Sequence, residues 1–372
     1  MLHSNFGPGA MISSGVPSPD FMGRATRTAL MALVVSTAIA GYASAQQELT
    51  FSLFDRYLDS LRIQANIPGM SAAIVQNERI VWENGFGFAD VERAIRATPD
   101  TPYHISGLTE TLTATLILEQ CVETGHLALD DRIQQRALSA PDAAITVRDA
   151  LTHRSNDGGF KYDPNRYAAL TGVAETCIQK DLMPFREALF EKVFYRANMF
   201  DSVPAQNVED SSADDRVQFS GNHLDRFSGI LKRMALPYRV SGSTISLNTG
   251  VSKSVDAATG AISTVRDLAL FDGRLDGAFF LHRETMSAMW SKVDGMPTGL
   301  GWFVQNYNGQ TLYWQFGYIP GAYSSLILKV PSRHLTLILL ANSDGLSAPF
   351  PLQDGDISTS LFAKTFLRLF VG

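Results

Sequence analysis

Few side chains of this 372-residue sequence are spaced for chemistry on their own. Its seven histidines stand at 3, 104, 126, 153, 223, 282 and 334, without the spacing that gathers metal ligands. No metal is therefore expected. The two cysteines, Cys121 and Cys177, form no C-x-x-C pair. Both lie in apolar, helix-like segments and read as two buried thiols. Gly85-Phe-Gly-Phe-Ala-Asp90 lacks the continuation of a dinucleotide fingerprint, and no P-loop occurs, so no cofactor is expected. Asp130-Asp131 reads as a cap or turn, and Met286, Met289 and Trp290 as core at helical spacing.

Stepping from residues to elements, 45% of the chain is hydrophobic, 10% aromatic and 18% charged, with a formal net charge of −6. A disordered chain carries more charge and fewer aromatics. A nucleic-acid binder shows a basic excess, which is missing here. Gln47 to Ala65 has apolar residues near helical spacing, and Ile67-Pro68-Gly69 stops it. Strand-like runs follow at Met70–Gln76 and Arg79–Glu83, the second continuing through Gly85 to Asp90. The pattern is helical from Leu108 to Cys121 and mostly helical to about Asp201. Residues 203–258 are polar and weakly periodic, which predicts a long loop or insertion. Strands return at Gly301–Gln305, Thr311–Gln315, Ser324–Val330 and Leu335–Ala341, and Ser358–Phe370 reads as a closing helix capped by Ser358. This order predicts an α+β fold: an antiparallel sheet built from both chain ends, flanked by terminal helices. Residues 46–105 and 255–372 form the sheet domain, and 106–254 a mostly helical insertion whose polar region is 203–254.

Residues 1–45 read as a leader. Arg24 and Arg27 precede an apolar run from Ala29 to Ala40, and Ala43-Ser-Ala45 is an A-x-A cleavage site. The signal peptide would span 22–45, and the run is short for a membrane-crossing helix. An exported protein, periplasmic or secreted, without a stable membrane span after cleavage, is expected.

Several segments together resemble a known family. They are Ile67-Pro-Gly-Met-Ser-Ala-Ala-Ile-Val-Gln76, Trp82-Glu-Asn-Gly-Phe-Gly-Phe-Ala-Asp90, Thr98-Pro-Asp-Thr-Pro-Tyr103, Glu123-Thr-Gly-His-Leu-Ala-Leu-Asp-Asp131 and Ile145-Thr-Val-Arg-Asp-Ala-Leu-Thr-His153. Gly260–Phe271, Gly299–Val304, Pro320–Ser325 and Leu339–Asp344 follow in the same order. This set resembles the serine β-lactamase-related, penicillin-binding-protein-like family, which holds class C β-lactamases, D-alanyl-D-alanine peptidases and related esterases. The resemblance spans roughly residues 48–371 and implies the β-lactamase/transpeptidase-like fold.

The resemblance also implies where chemistry would sit. Such enzymes attack an amide or ester carbonyl with the serine of S-x-x-K, whose lysine lies one helical turn later. Tyr-x-Asn and Lys/His-x-Gly motifs complete the pocket. Here Ile105-Ser-Gly-Leu-Thr-Glu-Thr-Leu-Thr-Ala114 stands against the pattern Ile-Gly-Ser-x-x-Lys-Thr-Phe-Thr-Ala. Gly107 occupies the nucleophile position and Glu110 the lysine position. Ser106 is adjacent, but one helical residue is about 100° of rotation, so its side chain should point elsewhere. Tyr162 matches the family tyrosine, Pro164 replaces its asparagine, and Asp163 and Asn165, which flank that position, are candidate ligand contacts, Asn165 as a partial substitute for the missing amide. Gln315 holds the Lys/His position and is expected to hydrogen-bond a ligand without carrying charge, and Gly317 keeps the glycine that lets a ligand approach the strand. His153 matches a Thr-His that is structural in the family and reads as satisfied packing.

The chain is thus expected to be a catalytically degenerate family member with a cleft for a small amide, ester or peptidoglycan-like peptide. One alternative is an active hydrolase using Ser106, or a water activated by Glu110 and Tyr162 as an acid/base pair. The other is a protein-interaction module that uses the polar segment. The oligomeric state is left open.

Overall fold

A computed structural model describes residues 45–135, 144–178, 183–208, 219 and 222–372. The expected leader therefore lies outside the described residues, apart from residue 45. Two compact units are present. Residues 45–53 of the first are helical, and Phe54–Gly372 form the second, which contains everything described below.

A seven-stranded antiparallel sheet organises this unit. Its first strands are β1 (Gly69–Gln76), β2 (Arg79–Asp90) and β3 (Ile95–Arg96). Its last are β8 (Phe303–Tyr307), β9 (Gln310–Ile319), β10 (Tyr323–Val330) and β11 (Leu335–Ala341). The strand order is β3-β2-β1-β11-β10-β9-β8, so the two chain ends meet where β1 pairs with β11, Met70 opposite Ala341. β10 and β11 are buried along their whole length and β1 along nearly all of it. Their near-continuous apolar runs are what a strand covered on both faces requires. On one face lie α1 (residues 54–64) and α10 (Leu361–Phe370), with the Phe54 ring 6.0 Å from Phe366 and 5.2 Å from Trp82. Against the other packs α9 (Val265–Asp276), capped by Thr264, whose hydroxyl accepts from Asp267 N.

Between the halves run α2 (Thr109–Ile117), α3 (Val147–Leu151), α4 (Pro164–Ala168), α5 (Leu170–Cys177), α6 (Phe185–Ala188), α7 (Tyr195–Ala197) and α8 (His223–Leu231). Every residue of α2 is buried, so its sequence shows no polar stripe. The remaining strands are minor: β4 (Tyr103–His104) pairs with β7 (Ile262–Ser263), and β5 (Tyr238–Ser241) with β6 (Thr244–Leu247).

The structure corrects three expectations. Part of the polar stretch 203–258 is ordered as α8 and the β5–β6 hairpin. β6 is exposed throughout, so it carries no alternation for a sequence reading to find. The closing helix begins at Leu361 with Ser360, not Ser358, as its cap: Ser360 Oγ accepts from Ala363 N at 3.3 Å. Cys121 and Cys177 are joined in a disulfide rather than standing as free thiols. The turn of chain following α2 lies beside α5, which brings the two Cα atoms to 5.6 Å, within bonding reach.

That bridge spans a sequence separation of 56 residues. Replacing both cysteines by serine is expected to cost about 2–4 kcal/mol of unfolding free energy, mainly through the freed unfolded chain. Denaturant titration of the double variant checks this. An unchanged midpoint would contradict it.

Candidate functional site

The site is built where the segment after β4 turns against β9. Ile105 N donates to Ala261 O at 2.9 Å, and Ser325 Oγ donates to Ile105 O at 2.7 Å. The turn Ser106–Leu108 is thereby clamped between β10 and the strand pair β4–β7. Ser106 has φ of 51°, the left-handed region. The family pattern places glycine here, which pays no steric penalty for that conformation. Ser106 N donates to His104 Nδ1 at 3.1 Å. Burial depresses the His104 pKa to about 4, so the ring is neutral and able to accept.

Gly107 meets β9 with no room to spare. A Cβ built there would lie 2.5 Å from Phe316 O, and one on Gly317 would lie 2.1 Å from Gly107 N. Both glycines serve close packing of turn on strand.

One turn into the helical segment, the Glu110 side chain is fully buried. Its Oε2 accepts from Gln315 Nε2 at 2.8 Å and from His153 Nε2 at 3.1 Å, and its Oε1 accepts from Tyr162 Oη at 3.4 Å. The polarity of the network is fixed by its outer contacts. His153 Nδ1 accepts from Asp163 N at 3.1 Å, which leaves the proton of a neutral ring on Nε2, facing Glu110. Gln315 Oε1 accepts from Phe316 N at 2.9 Å, which turns its amide nitrogen inward. Tyr167 Oη donates to the Glu110 carbonyl at 2.8 Å. Tyr162 and Tyr167 also flank the His153 ring, with centroids at 4.5 and 5.3 Å.

Burial pushes the Glu110 carboxyl above the ordinary carboxylate range, and Asp256 adds to this. His153 and Tyr162 pull the other way without reversing it. The Tyr162 phenol is held well above its usual value, first by burial and then by the neighbouring Glu110 charge. It stays protonated and acts as a donor, not as a base.

A cavity of about 420 Å³ opens in front of this network. It is lined by Gly107, Tyr162, Pro164, Tyr318, Ile319 and Thr259, among others. Gly107 and Tyr162 therefore reach it, while Glu110, Gln315 and Ser106 do not. Ser106 is 1% exposed and its Oγ has no partner, so it faces packed protein rather than the cavity. Gln315 is 1% exposed with its amide engaged at both ends, which corrects its expected role as a ligand contact. Asp163 is the N-cap of α4, its carboxylate accepting from Asn165 N and Arg166 N, and Asn165 lies exposed outside the cavity lining. Gly317 brings β9 against the turn rather than admitting a ligand. His153 is indeed packed, yet it is also a donor to Glu110; only its place in the Thr-His motif signalled this. Tyr318 and Asp256 carried no signal in the sequence.

A model of the Beta-lactamase family matches residues 54–357. The chain belongs to the beta-lactamase family. A curated relative, Protein flp of Staphylococcus aureus (strain MW2), is 21% identical over 314 residues, 77% of this chain. The alignment spans 62% of that relative's length. Among solved structures, the octameric penicillin-binding protein homologue from Pyrococcus abyssi matches with a TM-score of 0.63 at 20% identity, over 79% of this chain and 74% of its own. A class C beta lactamase from Rhodobacter sphaeroides matches with 0.60 at 16% identity, over 78% and 93%. At these identities the likeness establishes the fold, the one expected from the sequence. Among the described residues no helix is long and apolar enough to cross a membrane, and no three His, Cys, Asp or Glu side chains form a metal-binding group.

A carboxyl whose pKa is raised by folding favours the folded state when protonated. That contribution is complete at low pH and is lost as pH rises from the ordinary carboxyl range through the raised value. In Glu110→Gln the amide oxygen can accept from His153 and Gln315, and the nitrogen can donate to Tyr162. This variant is expected to fold, and its unfolding free energy should fall less steeply than wild type above about pH 5. Glu110→Lys sets a cation against three donors and should cost about 3–5 kcal/mol. Denaturant midpoints measured across pH decide both.

Proposed function

We propose that this protein is a catalytically degenerate member of its family. It is exported, and it binds a small amide, ester or peptide without acylation. The observation that carries this reading is the buried Glu110 carboxylate at the lysine position, beside a Gly107 with no side chain to attack a carbonyl. S-x-x-K chemistry needs a nucleophilic oxygen next to a cation or neutral amine. This position offers a carboxyl group already committed to His153, Gln315 and Tyr162.

Water activation by Glu110 and Tyr162 is less well supported. The carboxylate is separated from the cavity by Tyr162, and Tyr162 remains protonated. A general base has to come within hydrogen-bond reach of the proton it removes, directly or through one water. Support for export comes from Arg24, Arg27, the apolar run 29–40 and Ala43-Ser-Ala45, together with a Cys121–Cys177 disulfide of the kind that persists in oxidising compartments.

Treated with a fluorescent acylating penicillin, the protein is expected to remain unlabelled and to turn over neither nitrocefin nor p-nitrophenyl acetate above blank. Stoichiometric labelling abolished by Ser106→Ala would overturn the reading. The double change Gly107→Ser, Glu110→Lys is expected to restore no turnover, because a side chain at 107 collides with the Phe316 carbonyl. Mass spectrometry of exported protein should find a chain beginning near Gln46; retention of residues 22–40 would refute the export assignment.

A further inference from the structure

The Gly107 cavity carries information about the charge of its ligand. Its lining comprises Gly107, Tyr162, Pro164, Ala258, Thr259, Tyr318, Ile319, Pro320 and Gln353, with no Lys, Arg or His among them. Two acidic side chains lie just behind the wall. Glu110 stands behind Tyr162, which donates to it at 3.4 Å. Asp256 stands behind Ala258 and Thr259, whose N–H groups donate to its Oδ1 at 2.8 and 3.0 Å. Burial raises the pKa of both carboxyls, and once ionised at alkaline pH they give the partly enclosed, apolar cavity a negative potential that water screens poorly.

The rest of the lining is suited to rings and amides. Tyr162 and Tyr318 line it, bridged by the buried Phe316 ring behind them, whose centroid lies 4.9 Å from Tyr162 and 6.4 Å from Tyr318. Tyr318 is 39% exposed, so part of its ring is free to meet a ligand. The Tyr162 hydroxyl spends its proton on Glu110, and its oxygen keeps lone pairs for a donor.

We infer that this cavity selects uncharged aromatic amides, their ring against Tyr318 and their N–H directed to the Tyr162 oxygen, and rejects the matching carboxylates. The inference deepens the degenerate-binder reading and rests on it.

Phenylacetamide and phenylacetate have the same ring and nearly the same shape but differ in charge. Titration calorimetry at pH 8, backed by saturation-transfer NMR, is expected to show phenylacetamide binding at least about tenfold tighter than phenylacetate. Tyr318→Ala should weaken the amide by about tenfold. Asp256→Asn keeps the Oδ1 acceptor for the Ala258 and Thr259 amides while removing the charge. It should shrink the amide-to-acid ratio by about threefold or more. Equal or tighter binding of phenylacetate, an unchanged ratio in Asp256→Asn, or no binding of either compound would overturn the inference. Ammonia release from phenylacetamide, followed in parallel, tests the underlying reading separately. Turnover with the amide preference intact would refute degeneracy but leave the selectivity standing; a lost preference without turnover would do the reverse.

Discussion

A carboxylate buried at residue 110 has to be given hydrogen-bond donors, and the surroundings of the site follow from meeting that requirement. An isolated buried charge costs several kcal/mol even after relaxation. Gln315 from β9, His153 from the segment after α3 and Tyr162 from the loop before α4 each supply one donor. Gln315 lies far along the chain from His153 and Tyr162, so the carboxylate joins the sheet to the helical region. Each donor is then held by a further contact: Gln315 by the Phe316 amide, His153 by the Asp163 amide and the flanking tyrosine rings. A residue in the place of a catalytic cation thus has a structural role that the surrounding side chains are arranged to satisfy.

The sheet explains why this network is precise. β9 is one of the inner strands, paired with β8 on one edge and β10 on the other, with Gly317 opposite Ser325. Ser325 in turn holds the Ile105 carbonyl, which starts the turn carrying Ser106 and Gly107. The positions of turn and strand are therefore set by ladder register, which a one-residue slip would invert. That register depends on chain segments from both ends meeting at β1 and β11.

Much of the architecture was legible in the sequence, because the apolar runs of β1, β10 and β11 are continuous and bounded by turns. Their limits came within one or two residues. The hairpin β5–β6 was not legible, since an exposed strand needs no hydrophobic alternation and is made by backbone pairing. The disulfide was missed because two cysteines 56 residues apart show nothing of how their helices pack. At the site, the vacancy at Gly107 and the reversed charge at Glu110 could be read from motif position alone. The direction of Gln315 could not: a glutamine on a strand faces ligand or carboxylate depending on what lies opposite, and that is a tertiary fact. His153 looked like packing for the same reason, its partner lying 43 residues earlier in the chain.

The fit of Gly107 against β9 also limits what residue 107 can become. The Phe316 carbonyl that a new side chain would strike belongs to a strand held in register by β10, with Leu326 opposite Phe316, so it cannot yield alone. Ser106 is at the same time a side-chain-bearing residue held at a φ that suits glycine. A side chain at 107 would need strand and turn to move together. The packing therefore leaves the rim of the cavity freer to accept new side chains than the turn that carries Gly107.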